Sequence, residues 1–105
     1  MKPLVRRALA DCDVESAVDY YLGKGDADVA LAFVDAIQDA YGHLSRHPGT
    51  GSPRYAQLLG IDGLRSWPMR SFPYIVFYFE RPDLVEVWRV LHANRDLPVH
   101  LQESL

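Results

Sequence analysis

The sequence predicts an α+β fold of two layers in the order β-α-α-β-β-β, with a helical hairpin packed on a small antiparallel sheet. Three observations predict it. Between Val14 and Leu44, apolar side chains recur at spacings of three and four, interrupted once by Gly23 and Gly25. Between Leu64 and Leu91, short β-branched and aromatic runs alternate with turn residues. A stretch rich in glycine and proline, Pro48 to Gly63, separates the two halves.

Each element follows in order. Lys2 to Leu9 reads as an edge or starting strand, with Leu4, Val5, Ala8 and Leu9 apolar and Arg6 and Arg7 keeping it partly wet. Asp11 or Asp13 is expected to cap the first helix by accepting from free amides. Val14, Ala17, Val18, Tyr21 and Leu22 form its apolar face, and Gly23 and Gly25 end it. Asp26 caps a second, longer helix, with Asp28 suited to the positive end of its dipole. Val29, Phe33, Ile37, Ala40, Tyr41 and Leu44 make its stripe. Arg46 and His47 suit its negative end, and Pro48 and Gly49 stop it.

Pro48 to Gly63 is a loop of 16 residues with a short helical turn expected at Tyr55 to Leu59. Leu64 to Arg70 reads as a strand in which Pro68, lacking an amide donor, indicates an edge or a bulge. Phe72-Pro73 turns the chain into Tyr74 to Phe79, whose continuous apolarity predicts a central strand. Glu80 to Asp83 connects it to a last strand, Leu84 to Leu91. Plain alternation there puts Val85, Val87, Arg89 and Leu91 on one face and Glu86, Trp88 and Val90 on the other. The tail, Leu97 to Leu105, is expected to dock as a helical turn. With the hairpin on one sheet face, the opposite face is expected to stay available for a partner helix or strand.

The chain has 105 residues and 49% hydrophobic residues, which bounds it to one folded domain with one core, about residues 3–96, and a short tail, 97–105. Such a domain leaves little room for an enclosed cofactor, and none is expected. The net charge of -3 argues against general nucleic-acid affinity. The charge is uneven: residues 1–53 hold five Lys/Arg against eight Asp/Glu, while residues 54–105 hold six of each, every basic one an arginine. The sheet half can therefore concentrate positive potential locally. A single cysteine, Cys12, excludes an internal disulfide. The first residues lack the apolar core of a signal peptide and no run is long enough to span a membrane, so a cytoplasmic protein is expected.

The chemistry-bearing residues cluster in the sheet half. Arg65, Trp67, Arg70, Arg89, His92 and Arg95 are the candidate functional residues. Arginine suits bidentate contact to carboxylate or phosphate. His92 has two readings: a proton shuttle beside a phosphate, or a structural ring bonded to the turn that follows it, with Arg95 and Asp96 pairing to fix that turn. His43 and His47 stand four apart on a helix, but no acidic or cysteine ligand completes a metal pattern, so no metal is expected. Tyr55, Tyr74 and Tyr78 are candidates for a wet aromatic face, although Tyr78, inside the central strand, reads as core or half-buried. The glycines lack the lysine and the strand-to-helix context of a phosphate loop.

Taken in order, these pieces resemble the ParE branch of the RelE/ParE toxin superfamily of bacterial type II toxin–antitoxin systems. The resemblance rests on Asp11 with the Tyr20-Tyr21 helix, the Ala30 to Leu44 helix, His47-Pro48-Gly49, Gly63-Leu64-Arg65, Phe72-Pro73-Tyr74, Phe77-Tyr78, and Val90-Leu91-His92 with Arg95-Asp96. It implies a toxin that poisons DNA gyrase by protein–protein contact without a catalytic centre. It also implies a cognate antitoxin whose C-terminal segment folds on the toxin, in complexes that are either 1:1 or of higher order. The RelE branch, which cleaves messenger RNA on the ribosome, is the alternative. In that reading Arg65, His92 and Arg95 would be catalytic. The sequence departs from that branch in having no lysine between Gly49 and Gly63 and no tyrosine after Asp96. A non-toxic module that only binds antitoxin is a third reading.

Overall fold

The computed structural model describes residues 1–105. Strand β1 (Leu4–Arg6) leads directly into α1 (Ala8–Gly23). Neither Asp11 nor Asp13 caps that helix. It begins at Ala8, behind Arg7, whose N–H donates to Val87 O at 2.9 Å. The strand is thus shorter than expected, because its hydrogen bonds to the sheet end where the helix must start. Gly25, at φ 75°, makes the left-handed step that reverses the chain. In α2 (Ala27–Arg46) the expected cap is present: Asp26 Oδ1 accepts from Val29 N–H at 3.0 Å.

After a 3-10 turn at Pro48–Thr50, the loop holds the short helix α3 (Arg54–Leu59) where a helical turn was expected. Strands β2 (Leu64–Pro68), β3 (Tyr74–Glu80) and β4 (Val85–His92) follow, and α4 (Leu97–Glu103) ends the chain. The sheet order is β1-β4-β3-β2, with β3 central as predicted. The last three strands are antiparallel, and β1 adds to β4 in parallel. Pro68 lies on edge strand β2, whose outer side is closed at Ser66 by paired hydrogen bonds with Ser52, both 2.9 Å.

Two apolar clusters lie on the two sheet faces. Under the helical hairpin, Phe33, Ile37, Ala40 and Leu44 of α2 and Ala10 and Ala17 of α1 meet Val76, Tyr78, Val85, Val87 and Val90. On the other face, Leu64, Phe77, Phe79, Trp88 and Leu91 are covered by Leu97 and Leu101 of α4, with Tyr55, Ala56 and Leu59 of α3 against them. That face is closed within the chain, which corrects the expectation that it is free for a partner. The physical reason is its content: each large apolar side chain taken out of water contributes about 1.5–3 kcal/mol. The two short helices are the apolar surface at hand.

The alternation in β4 is broken. Phe77 pairs with Arg89 and Tyr78 with Val87, so Trp88 is an extra residue, a β-bulge. Val85, Val87 and Val90 therefore share the hairpin side, while Trp88 and Leu91 share the other. Beyond the bulge the phase is inverted, and His92 pairs with Tyr74.

Candidate functional site

Two open grooves flank the β2–β3 turn, where Phe72 packs edge-on against Tyr21 and Phe33 at ring distances of 5.5 and 5.2 Å. The first lies between α1 and the far ends of β3 and β4. It has a volume of about 680 Å³ and is walled by Ser16, Tyr20, Tyr21, Tyr74, His92 and Arg95, among others. The second, about 750 Å³, lies between α2 and the end of β2, and includes His43, Arg46, Trp67 and Arg70.

The six candidate residues divide three ways. Arg65 and Arg89 are engaged inside the fold. Arg65 Nη1 donates to Gly51 O at 2.8 Å and Gly49 O at 3.3 Å, across the loop that Tyr78 also holds. The Tyr78 hydroxyl donates to Pro48 O at 2.7 Å and accepts from Gly51 N–H at 2.9 Å. Burial pushes that hydroxyl's pKa up, and the Gly51 N–H and the Arg65 charge pull it back. Arg89 donates through Nε and Nη2 to Asp13, both at 2.8 Å, and through Nη1 to Ser104 Oγ. The Asp13 hydrogen bond raises the Arg89 pKa further.

Trp67 and Arg70 line the second groove. The Trp67 ring stacks on His43 at 4.4 Å, and His43 Nε2 lies 3.0 Å from Thr50 Oγ1. Burial lowers the His43 pKa, helped by the charges of His47, Arg46 and Arg70. His43 and His47 are 5.4 Å apart between ring centres, and nowhere do three His, Cys, Asp or Glu side chains converge as metal ligands.

His92 and Arg95 line the first groove. Asn94 N–H donates to His92 Nδ1 at 3.0 Å, so the ring is bonded to the turn that follows the strand and keeps its proton on Nε2. Arg95 and Asp96 do not pair; Asp96 instead caps α4, its Oδ1 facing Val99 N–H at 3.5 Å. The structure does not bring Arg65 to this groove. Arg65 pairs with Tyr78 and His92 with Tyr74, on opposite sides of β3. Four residues of strand separate those positions by about 13 Å.

The groove residues that sequence reasoning missed are Ser16, Tyr20 and Tyr21. Tyr20 is 56% exposed and lies off the apolar stripe, so an exposed aromatic beside a buried one was the available signal.

No curated protein sequence matches the chain. One solved structure, described as the chromosomal ParDE toxin–antitoxin system from P. aeruginosa, superposes with a TM-score of 0.75 at 19% identity, over 90% of this chain and 98% of that one. At that identity the likeness is one of fold. The family model for the ParE toxin of the type II toxin–antitoxin system parDE matches residues 4–97, from β1 to the first residue of α4. The match runs through the hairpin, all four strands and both grooves, and the chain belongs to the ParE toxin family.

Proposed function

We propose that the protein is the toxin of a type II toxin–antitoxin pair, that it poisons DNA gyrase by protein–protein contact in the cytoplasm, and that a cognate antitoxin neutralises it. The observation that carries this over RNA cleavage is the disposition of the basic groups. Arg65 is bonded to the Gly49 and Gly51 carbonyls and stands apart from His92 and Arg95. A nuclease needs its acid, base and phosphate-holding groups around one reacting centre. The net charge of -3 also gives little affinity for RNA. No helix of the chain is long and apolar enough to cross a membrane.

An antitoxin segment that orders on binding must offset its entropy with apolar burial. The second sheet face is filled by α3 and α4, whereas the two grooves beside the hairpin are open to such a segment.

One observation favours ribosome-dependent RNA cleavage as the second reading: His92 and Arg95 do share a groove with three tyrosines. The test is gyrase supercoiling and DNA cleavage with purified, antitoxin-free protein, beside ribosome-dependent cleavage of messenger RNA. Inhibited supercoiling with accumulated cleaved DNA is expected. RNA cleavage that disappears in His92→Ala with Arg95→Ala, without unfolding, would replace this reading with the nuclease.

A further inference from the structure

The groove between α1 and the end of β4 holds one unpaired cation and no free carboxylate. Arg95 is exposed and belongs to none of the five ion pairs of the chain. His92, with Nδ1 already accepting from Asn94, has an Nε2–H left to give. Tyr20, Tyr21 and Tyr74 line the same groove. Burial pushes the Tyr74 hydroxyl's pKa up, reinforced by Tyr21, while the Arg95 charge pulls it back.

The only negative charge in the lining is already paired. Asp13 is the one carboxylate in the lining, and Arg89 and the Val90 N–H occupy both its oxygens at 2.8–2.9 Å. The groove is thus left with one free positive charge, neutral polar side chains that can donate to an anion, and the apolar walls of Ala17, Val90 and Leu91.

We propose that this groove binds a carboxylate of an acidic peptide segment, an Asp or Glu side chain flanked by an apolar or aromatic residue, with Arg95 and His92 as the anion-holding groups. A peptide fits better than a nucleic acid. A polyanion is held by several cations, and here there is one, on a chain of net charge -3 whose α1 also carries Asp11, Glu15 and Asp19. The volume of about 680 Å³ suits one or two side chains. The inference rests on the proposed reading in one respect, that the partner is a protein; the groove chemistry is measurable without that partner.

The experiment is an NMR titration of the purified chain with N-acetyl-aspartyl-phenylalanine amide, its asparaginyl counterpart, inorganic phosphate and a single-stranded oligonucleotide. The aspartyl peptide is expected to shift the amides of Tyr74, His92, Asn94 and Arg95, and the asparaginyl peptide is not. Arg95→Gln should weaken binding about tenfold, the worth of one charge-assisted hydrogen bond, and Arg54→Gln should leave it unchanged. Equal binding of the two peptides, no shift at these amides, or an oligonucleotide or phosphate bound more tightly than the peptide would each overturn it. Peptide binding in a protein that leaves gyrase untouched would sink the gyrase reading alone. Gyrase inhibition without peptide binding would sink the groove alone.

Discussion

Asp13 and Arg89 tie the first helix to the sheet beyond the end of β1. Two hydrogen bonds of 2.8 Å join them, and Asp13 Oδ2 also accepts from Val90 N–H at 2.9 Å, on the stretch of β4 that β1 does not reach. Their side chains are 14% and 13% exposed, so this is the best shielded of the ion pairs. Through Ser104 the same guanidinium also reaches α4. Removing one partner leaves a largely buried charge. Asp13→Ala and Arg89→Ala should each lower stability by about 2–4 kcal/mol, and the double variant should cost less than the sum. Urea denaturation of the four proteins checks it. Additive losses would show that the pair does not act as a unit.

Gly51 is required for close approach. A Cβ there would stand 2.8 Å from Tyr78 Cε1, and Gly51 itself is buried. Its φ of -68° is open to any residue, so the constraint is space alone. Gly51→Ala should cost about 2–4 kcal/mol by expelling the hydroxyl from its two hydrogen bonds. Gly51→Ala combined with Tyr78→Phe should be less destabilised than the two losses added together. Thermal melts of the series check it, and Arg65 predicts the side effect: the Pro48–Gly51 loop should exchange its amides faster in every variant.

Glu86 carries an acid-dependent part of the stability. Arg7 donates to it at 2.9 Å and Arg81 at 2.9 and 3.1 Å. The Arg7 hydrogen bond is the main cause that holds its pKa below the ordinary 4.5, joined by Arg81 and opposed by burial. A carboxyl depressed in the folded state stabilises above its unfolded pKa and loses that contribution as pH falls through the folded one. Wild type should therefore exceed Glu86→Gln in stability above about pH 4.5, and the difference should shrink as the pH drops below it. Urea midpoints across that range check the sign. A difference that grows on acidification would refute it.

Tyr41 is the opposite case, a buried hydroxyl without a partner. Its oxygen makes no hydrogen bond, and burial pushes its pKa up to about 12. An unpaired buried polar group opposes folding. Tyr41→Phe should be neutral or more stable by about 1 kcal/mol, whereas Tyr78→Phe, which removes a hydroxyl with two bonds, should be less stable. The contrast is read from denaturation curves of the two variants.

The order and type of the elements were legible in the sequence, because helix and strand periodicity are local properties of consecutive side chains. The α2 stripe from Phe33 to Leu44, the Asp26 cap, the short helix near Tyr55 and the central place of the Tyr74 to Phe79 strand all follow from neighbours in the chain. The residue pattern that marks the ParE family was legible for the same reason. What the tertiary structure alone decided are relations between distant residues. Pairing of Phe77 with Arg89 makes Trp88 the extra residue, and that one-residue slip turns His92 toward Tyr74 and the α1 groove. Asp13, expected as a helix cap, becomes the acceptor for a strand edge 77 residues away. The second sheet face is closed by α3 and α4 because its apolar side chains are buried by whichever segments reach them, and reach depends on the folded path rather than on local spacing.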